Sequence, residues 1–178
     1  MIITISGTPG SGKSTVGDLL SKKLEYEYFD IGRIRRAIAK KRGITLEELN
    51  KVGETDESTD KEVDDYQRHL GQAKDSFILV SRLGYHFVPN SLKVFLKVNI
   101  DEAARRIIKD ESRSEEEKPH TIAEAKRLID VRNTSDKKRY SKYYDIDPYD
   151  TKHYDLVIDT YNKSPQEIAE EILEATNK

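Results

Sequence analysis

Apolar residues fall into short continuous runs separated by longer stretches with the period of a helix. The first run, Met1 to Ser6, is rich in β-branched residues. Similar runs occur at Tyr26 to Phe29, Phe77 to Val80, Val94 to Val98 and Tyr154 to Ile158. A continuous run, unlike an alternating one, predicts a strand buried on both faces, as in a parallel sheet. Between the runs the period lengthens. Ser14 to Leu24 sets Val16, Leu19, Leu20 and Leu24 on one face. Ile31 to Arg42 sets Ile31, Ile34 and Ile38 on one side and Arg33, Arg36 and Lys40 on another. Gly43 ends that segment, and Thr45 with Glu48 has the form of a capping box.

Further helices are predicted over Asp56 to Ala73 (Val63, Tyr66, Leu70 and Ala73), over Asp101 to Lys109, and over Thr121 to Tyr143, with Ala125, Leu128 and Ile129 inward. A last helix starts at Ser164-Pro165, with proline in its first position. Asp110 to His120 is dense in charge and contains Pro119, so it is expected to be a mobile loop. Strands alternating with helices predict an α/β fold: a five-stranded parallel sheet with helices on both faces. In such folds ligands bind beyond the carboxyl ends of the strands, here just after Ser6, Phe29, Val80, Val98 and Ile158.

Composition narrows the partners. Of the 178 residues, 31 are basic and 33 acidic, for a net charge of −2, so no overall charge favours a long nucleic acid. There is no cysteine, which excludes a disulfide scaffold, a thiolate zinc site and a cysteine nucleophile. No stretch approaches the roughly 20 apolar residues of a membrane span. The N-terminus runs from Met1 through an apolar stretch into a glycine loop, unlike a secretory signal. A cytoplasmic protein is expected.

Gly7-Thr8-Pro9-Gly10-Ser11-Gly12-Lys13-Ser14 matches G-x-x-x-x-G-K-[ST], with a buried strand before it and an amphipathic helix after it. Glycines allow successive N–H groups to line one concavity, and the helix start adds its positive dipole end. Gly7 to Thr15 is thus expected to cradle the phosphates of ATP, with Lys13 on the β/γ-phosphates and the Ser14 hydroxyl on Mg²⁺. No N-K-x-D follows, as a GTPase would need. Phosphoryl transfer also calls for arginine forks that neutralise phosphate oxygens. Candidates are Arg33, Arg35 and Arg36 after the second strand, Arg82 after the third, and Arg105, Arg106, Arg113, Arg132 and Arg139 in or beside the loop. Arg33, Arg35 and Arg105 also fit solvated helix faces. Arg82 stands alone at a strand end, which favours a functional role.

These segments resemble the nucleoside monophosphate kinases, and within them the archaeal-type cytidylate kinases. The resemblance runs through Ile5-Ser6-Gly7 to Ser14-Thr15, Gly32 with Arg36, Asp60, Asp64 and Gln67, Arg82-Leu83, Arg105-Arg106, Arg132 with Ser135, Lys138-Arg139-Tyr140, Tyr143-Tyr144, Ile146-Asp147 and Tyr154 to Ile158. It implies one domain in three parts: a core (1–30, 75–109, 132–178), a monophosphate-binding segment (31–74) and a lid (110–131). It also implies roles. Arg36 and Arg82 grip the acceptor phosphate; Arg106, Arg113 and Arg132 act on the transferring group; Arg139 joins them. The chain departs from the family pattern twice. Arg33 stands where an acid is common, and Val80-Ser81-Arg82 replaces acid-Gly-Arg, which removes a carboxylate expected near magnesium.

Cytosine offers an amino donor and two acceptors, and Asp60, Asp64 and Gln67 lie on one helical stripe that could meet part of this pattern. Each alone also reads as part of a solvated face. The expected function is ATP- and Mg²⁺-dependent phosphorylation of CMP or dCMP by a monomer acting on small molecules. A kinase for AMP, UMP or another metabolite, and a catalytically silent nucleotide-binding module, remain alternatives.

Overall fold

The computed structural model describes residues 1–110 and 118–176. Among them, β1 (Ile2–Gly7), β2 (Glu27–Asp30), β3 (Phe77–Val80), β4 (Leu92–Lys97) and β5 (Leu156–Asp159) form one sheet in the order β2-β3-β1-β4-β5. Every pairing is parallel. The helices are α1 (Lys13–Leu24), α2 (Ile31–Lys41), α3 (Leu46–Gly53), α4 (Ser58–Ala73), α5 (Gly84–Phe87), α6 (Ile100–Ile108), α7 (Ile122–Tyr144) and α8 (Pro165–Thr176). None of these is long and apolar enough to cross a membrane.

The two-residue period of a strand explains why the sheet is covered twice. Ile3 and Ile5 pack with Val16 and Leu20 of α1 and with Ile168 and Ile172 of α8. Ile2, Phe77 and Leu79 point the other way, onto Val63 and Leu70 of α4, Phe87 of α5 and Tyr140 of α7. A third cluster, Ala103, Ala104 and Ile107 with Ala125 and Ile129, seats the front half of α7 on α6. Capping boxes form as expected. Glu48 N donates to Thr45 Oγ1 at 3.1 Å and Glu167 N to Ser164 Oγ at 3.2 Å.

The helix over α4 was expected to turn Tyr66 and Ala73 inward. Both are exposed, and Asp60, Asp64 and Gln67 are buried in their place beside Val63 and Leu70. The polar residues find hydrogen-bond partners on α2, α7 and the β3 end, which the apolar period alone cannot reveal. The four-residue α5 and the 3₁₀ turn Thr151–His153 are too short to carry a period.

Helix α1 approaches the sheet closely at Gly17. A Cβ there would lie 2.7 Å from Val80 Cγ2 and 2.8 Å from Tyr28 Cε2. Val80 is branched and buried, and the Tyr28 hydroxyl is tied to Asp30 and to the Ser14 carbonyl, so neither can give way easily. Gly17→Val should therefore destabilise the fold by about 1–3 kcal/mol, a fall of roughly 3–10 °C in calorimetric Tm. An unchanged Tm would contradict this packing.

Candidate active site

The chain leaves β1 through Gly7, where a Cβ would lie 1.9 Å from the Leu96 carbonyl oxygen, so only glycine fits. Gly10 (φ 73°) and Gly12 (φ 85°) then take left-handed conformations. The loop is pinned by Ser11 Oγ donating to the Thr8 carbonyl at 2.8 Å and by Thr8 N donating to the Leu96 carbonyl at 3.0 Å. Helix α1 starts behind it with no side-chain cap and no acid in its first turn. The N–H groups and positive end of α1 are thus left for an anion. Lys13 Nζ bridges the loop, donating to the Thr8 carbonyl at 2.6 Å. Burial lowers its pKa well below the usual lysine value, and Arg82 and Arg132 add to this against Asp30 and Asp136. A bound phosphate would favour the charged ammonium form.

A carboxylate stands at the loop mouth. Ser14 Oγ donates to Asp30 Oδ2 at 2.6 Å, and the Tyr28 hydroxyl lies 3.1 Å from the same oxygen. Asp30 Oδ1 meanwhile caps α2 by accepting from Arg33 N at 3.0 Å. Asp30 is the register partner of Val80, so the acid missing from the end of β3 is present one strand away, at the end of β2. β3 ends without an acid, as expected, while a carboxylate from the neighbouring strand stands beside Ser14. A hydroxyl and a carboxylate in contact fit Mg²⁺, which prefers hard oxygens and takes its other ligands from water and phosphate. No group of three or more His, Asp or Glu able to hold a metal occurs among the described residues.

Opposite lies an arginine cluster organised by two buried acids. Asp136 of α7 accepts from Arg82 Nε at 2.8 Å and from Arg139 Nη2 at 2.7 Å. Asp60 accepts from Nη1 of both Arg139 and Arg35, and Arg35 Nη2 donates to Asn50 Oδ1 at 3.0 Å. Arg82 Nη1 also donates to the Gly7 carbonyl, tying the cluster to the phosphate loop. Burial alone would raise the Asp136 pKa, but Arg82, Arg139 and Arg132 outweigh it and leave it at about 2. Arg106 is held by Glu102 Oε1 (3.0 Å), Thr160 Oγ1 (3.0 Å) and the Thr160 carbonyl (2.7 Å).

One cleft of about 800 Å³ joins these parts. Pro9 to Thr15, Asp30, Gly32, Arg36, Arg82, Arg106, Arg132 and Arg139 all line it. Arg113 lies outside the described residues. Arg35, for which a solvated face was one reading, is buried and also lines the cleft. Asp60, Asp64 and Gln67 are buried behind the cleft wall and are not among its lining residues, so the solvated-face reading fails for them too. Asp64 accepts from the Tyr144 hydroxyl at 2.5 Å and from Gln67 Nε2 at 3.1 Å. Burial lifts its pKa to about 6 despite these bonds.

Sequence reasoning missed Asp30, Asn50, Ser81 and Asp136. Asp30 is the first residue past the Phe29 strand end, where a ligand was to be sought. Asp136 sits between Arg132 and Arg139 at helical spacing. Those two had a legible signal, and Ser81, the first residue past the Val80 strand end, had the same one as Asp30; Asn50 had none.

A phosphate loop backed by a helix start, a hydroxyl–carboxylate pair at its mouth, and arginines gathered across the same cleft define an α/β P-loop kinase. The solved shikimate kinase of Aquifex aeolicus shares the fold, with TM-score 0.59 and 22% identity over 99% of this chain and 96% of that one. Sequence comparison is more specific. The profile described as "Cytidylate kinase-like family" matches residues 2–162. A cytidylate kinase of Methanobrevibacter smithii is 35% identical over 173 residues, covering 97% of this chain and 96% of that protein. An S-adenosylmethionine-dependent nucleotide dehydratase of Lacinutrix mariniflava is 34% identical over 99% of this chain, which spans 36% of that longer protein. The chain belongs to the cytidylate kinase-like family.

Two outcomes are expected. Asp30→Asn should raise the magnesium concentration needed for half-maximal turnover by about tenfold or more, at least what loss of even an outer partner of a metal site costs; an unchanged requirement would remove Asp30 from that site. Second, the folded pKa of Asp136 lies below its unfolded value, so its stabilisation is present above about pH 4 and is lost as pH falls toward 2, amounting to about 2 kcal/mol. A carbon-13 NMR titration of its carboxyl should give a midpoint near 2. A midpoint in the ordinary aspartate range would contradict the arginine cluster.

Proposed function

We propose that this nucleoside monophosphate kinase transfers the γ-phosphoryl group of Mg·ATP to CMP or dCMP, giving ADP and CDP or dCDP. The observation that carries the reading is the single cleft with a phosphate loop on one wall and Arg36, Arg82 and Arg139 on the other. A donor and an acceptor phosphate entering from the two sides would meet in line. A phosphate oxygen of the monophosphate then bonds to the γ-phosphorus while the bond to the β-phosphate oxygen breaks. Lys13 and the first-turn N–H groups neutralise the donor phosphates. Ser14 and Asp30 would hold magnesium, and the ion would supply neutralisation of the donor phosphates' charge. Arg36 and Arg82, with Arg139, orient the acceptor phosphate, and Arg106, Arg113 and Arg132 stabilise the transferring group.

The same reading assigns residues 31–74 to monophosphate binding, 110–131 to a lid that excludes water, and the rest to the core. Water exclusion matters because an open cleft would hydrolyse ATP. The relatives in its family support nucleotide phosphorylation, and cytosine as the acceptor base is the finer step. The reading entails a cytoplasmic monomer acting on two small molecules.

The test is a coupled ADP-release assay with CMP, dCMP, UMP, AMP and shikimate as acceptors. CMP or dCMP should give the highest kcat/KM. Lys13→Met should cut kcat by about 10²-fold or more with Tm unchanged, because it removes transition-state stabilisation and no packing. Arg82→Ala should lower kcat/KM for CMP by about 2–5 kcal/mol. Tight Mg·ATP binding with no acceptor-stimulated ADP release would leave a nucleotide-binding module instead.

A further inference from the structure

The residue between Val80 and Arg82 is not absorbed by phosphate chemistry. Ser81 follows β3, lines the cleft, and is 6% exposed. Its Oγ donates to Gln67 Oε1 at 2.5 Å. The direction of that bond is fixed from behind. Gln67 Nε2 donates to Asp64 Oδ1 at 3.1 Å, and Asp64 Oδ2 accepts from the Tyr144 hydroxyl at 2.5 Å. An ionised carboxylate only accepts, so the amide nitrogen of Gln67 must face Asp64 and its oxygen must face Ser81. A serine hydroxyl has one proton, and here that proton is committed inward. What Ser81 retains for a ligand is lone pairs. It can accept a hydrogen bond and cannot give one.

Asn50, which lines the same cleft, is fixed in the opposite sense. Its Oδ1 accepts from Arg35 Nη2 at 3.0 Å, and a guanidinium has no acceptor, so the amide cannot be turned round. Asn50 retains its two N–H donors. The cleft therefore carries one polar group restricted to accepting and one free to donate. Cytosine has the complementary edge, with an amino donor at N4 and acceptors at N3 and O2. Uracil has an acceptor at O4 and a donor at N3, the reverse.

We infer that Ser81, oriented by Gln67 and Asp64, is a specificity-determining residue that accepts a hydrogen bond from the exocyclic amino group of the acceptor base and rejects a carbonyl in its place. The inference rests on the acceptor reading of the cleft given above and says which bases it admits. The neighbouring arginines serve any monophosphate equally; Ser81 supplies discrimination. A carbonyl oxygen against Ser81 would leave two acceptors facing each other without a proton, and a buried unpaired polar group is costly. Sites built around such a bond reject analogues lacking it far more strongly than apolar pockets reject a size change. Asp60, Asp64 and Gln67 thus bear on the base at one remove. Gln67 and Asp64 set the polarity of Ser81, and Asp60 holds Arg35 beside Asn50.

The experiment pairs a change in the enzyme with a change in the base. kcat/KM is measured for CMP, for UMP and for the ribonucleotide of 2-pyrimidinone, which is cytosine without its amino group. The enzymes are the full chain and its Ser81→Ala and Gln67→Leu variants, each checked by thermal melting. The wild-type chain should prefer CMP over the deaminated analogue by about 100-fold or more. In Ser81→Ala that preference should fall below about tenfold, because the partner of the amino group is gone. In Gln67→Leu the Ser81 proton is released and can donate to O4, so the UMP-to-CMP ratio should rise about tenfold or more. A purely structural Ser81 would lower all three substrates together. An undiminished penalty for the missing amino group in Ser81→Ala, with CMP still phosphorylated by the wild type, overturns the role of Ser81 alone. Absence of CMP turnover by the wild type overturns the function reading and this inference with it.

Discussion

Guanidinium groups repel, and a phosphoryl-transfer site needs several of them in one place before any phosphate arrives. Here the gathering is done by Asp136 and Asp60, both buried, each shared between two arginines. Arg139 belongs to both pairs and is 1% exposed, so it is the common member. The chain Arg82–Asp136–Arg139–Asp60–Arg35 runs from the end of β3 through α7 and α4 to α2. Buried ion pairs of this kind add little net stability, because desolvation offsets attraction, but losing one member leaves an uncompensated charge. Their use here is geometric. They fix the direction of cations that would otherwise spread apart.

The sheet decides where that network can act. β1 lies between β3 and β4, so its carboxyl end, with Gly7, is flanked by the end of β3, with Ser81 and Arg82. Arg82 reaches the Gly7 carbonyl, so any shift of α7 is felt at the phosphate loop. On the far side β2 delivers Asp30 to Ser14. Three neighbouring strand ends thus supply a loop, a carboxylate and an arginine. The spacing between the phosphate loop and Arg82 is thus set by neighbouring strands.

What the sequence disclosed followed physical type. Continuous apolar runs such as Phe77 to Val80 announced buried parallel strands, and the glycine pattern around Lys13 announced a phosphate loop. Both signals are local. The polar stripe of α4 was ambiguous, because Asp60, Asp64 and Gln67 read the same whether water or Arg139, Tyr144 and Ser81 surrounds them. Partners that lie 14 to 80 positions away leave no trace in a local pattern. Val80 shows the converse. The absence of an acid there was legible, but the nearness of Asp30 required the β2–β3 register.

Under the proposed function, Asp136 acts through Arg82 and Arg139 to prepare the acceptor site. A double-mutant cycle on CMP affinity tests it most directly: calorimetric Kd values for the wild type, Asp136→Asn, Arg82→Lys and the double variant. If the carboxylate works through the arginine, the two losses overlap, and the double variant should bind CMP about as well as the weaker single one, with a coupling of about 1–3 kcal/mol. Losses that simply add would mean that Asp136 and Arg82 reach the acceptor independently, and the network described here would not be what assembles the site.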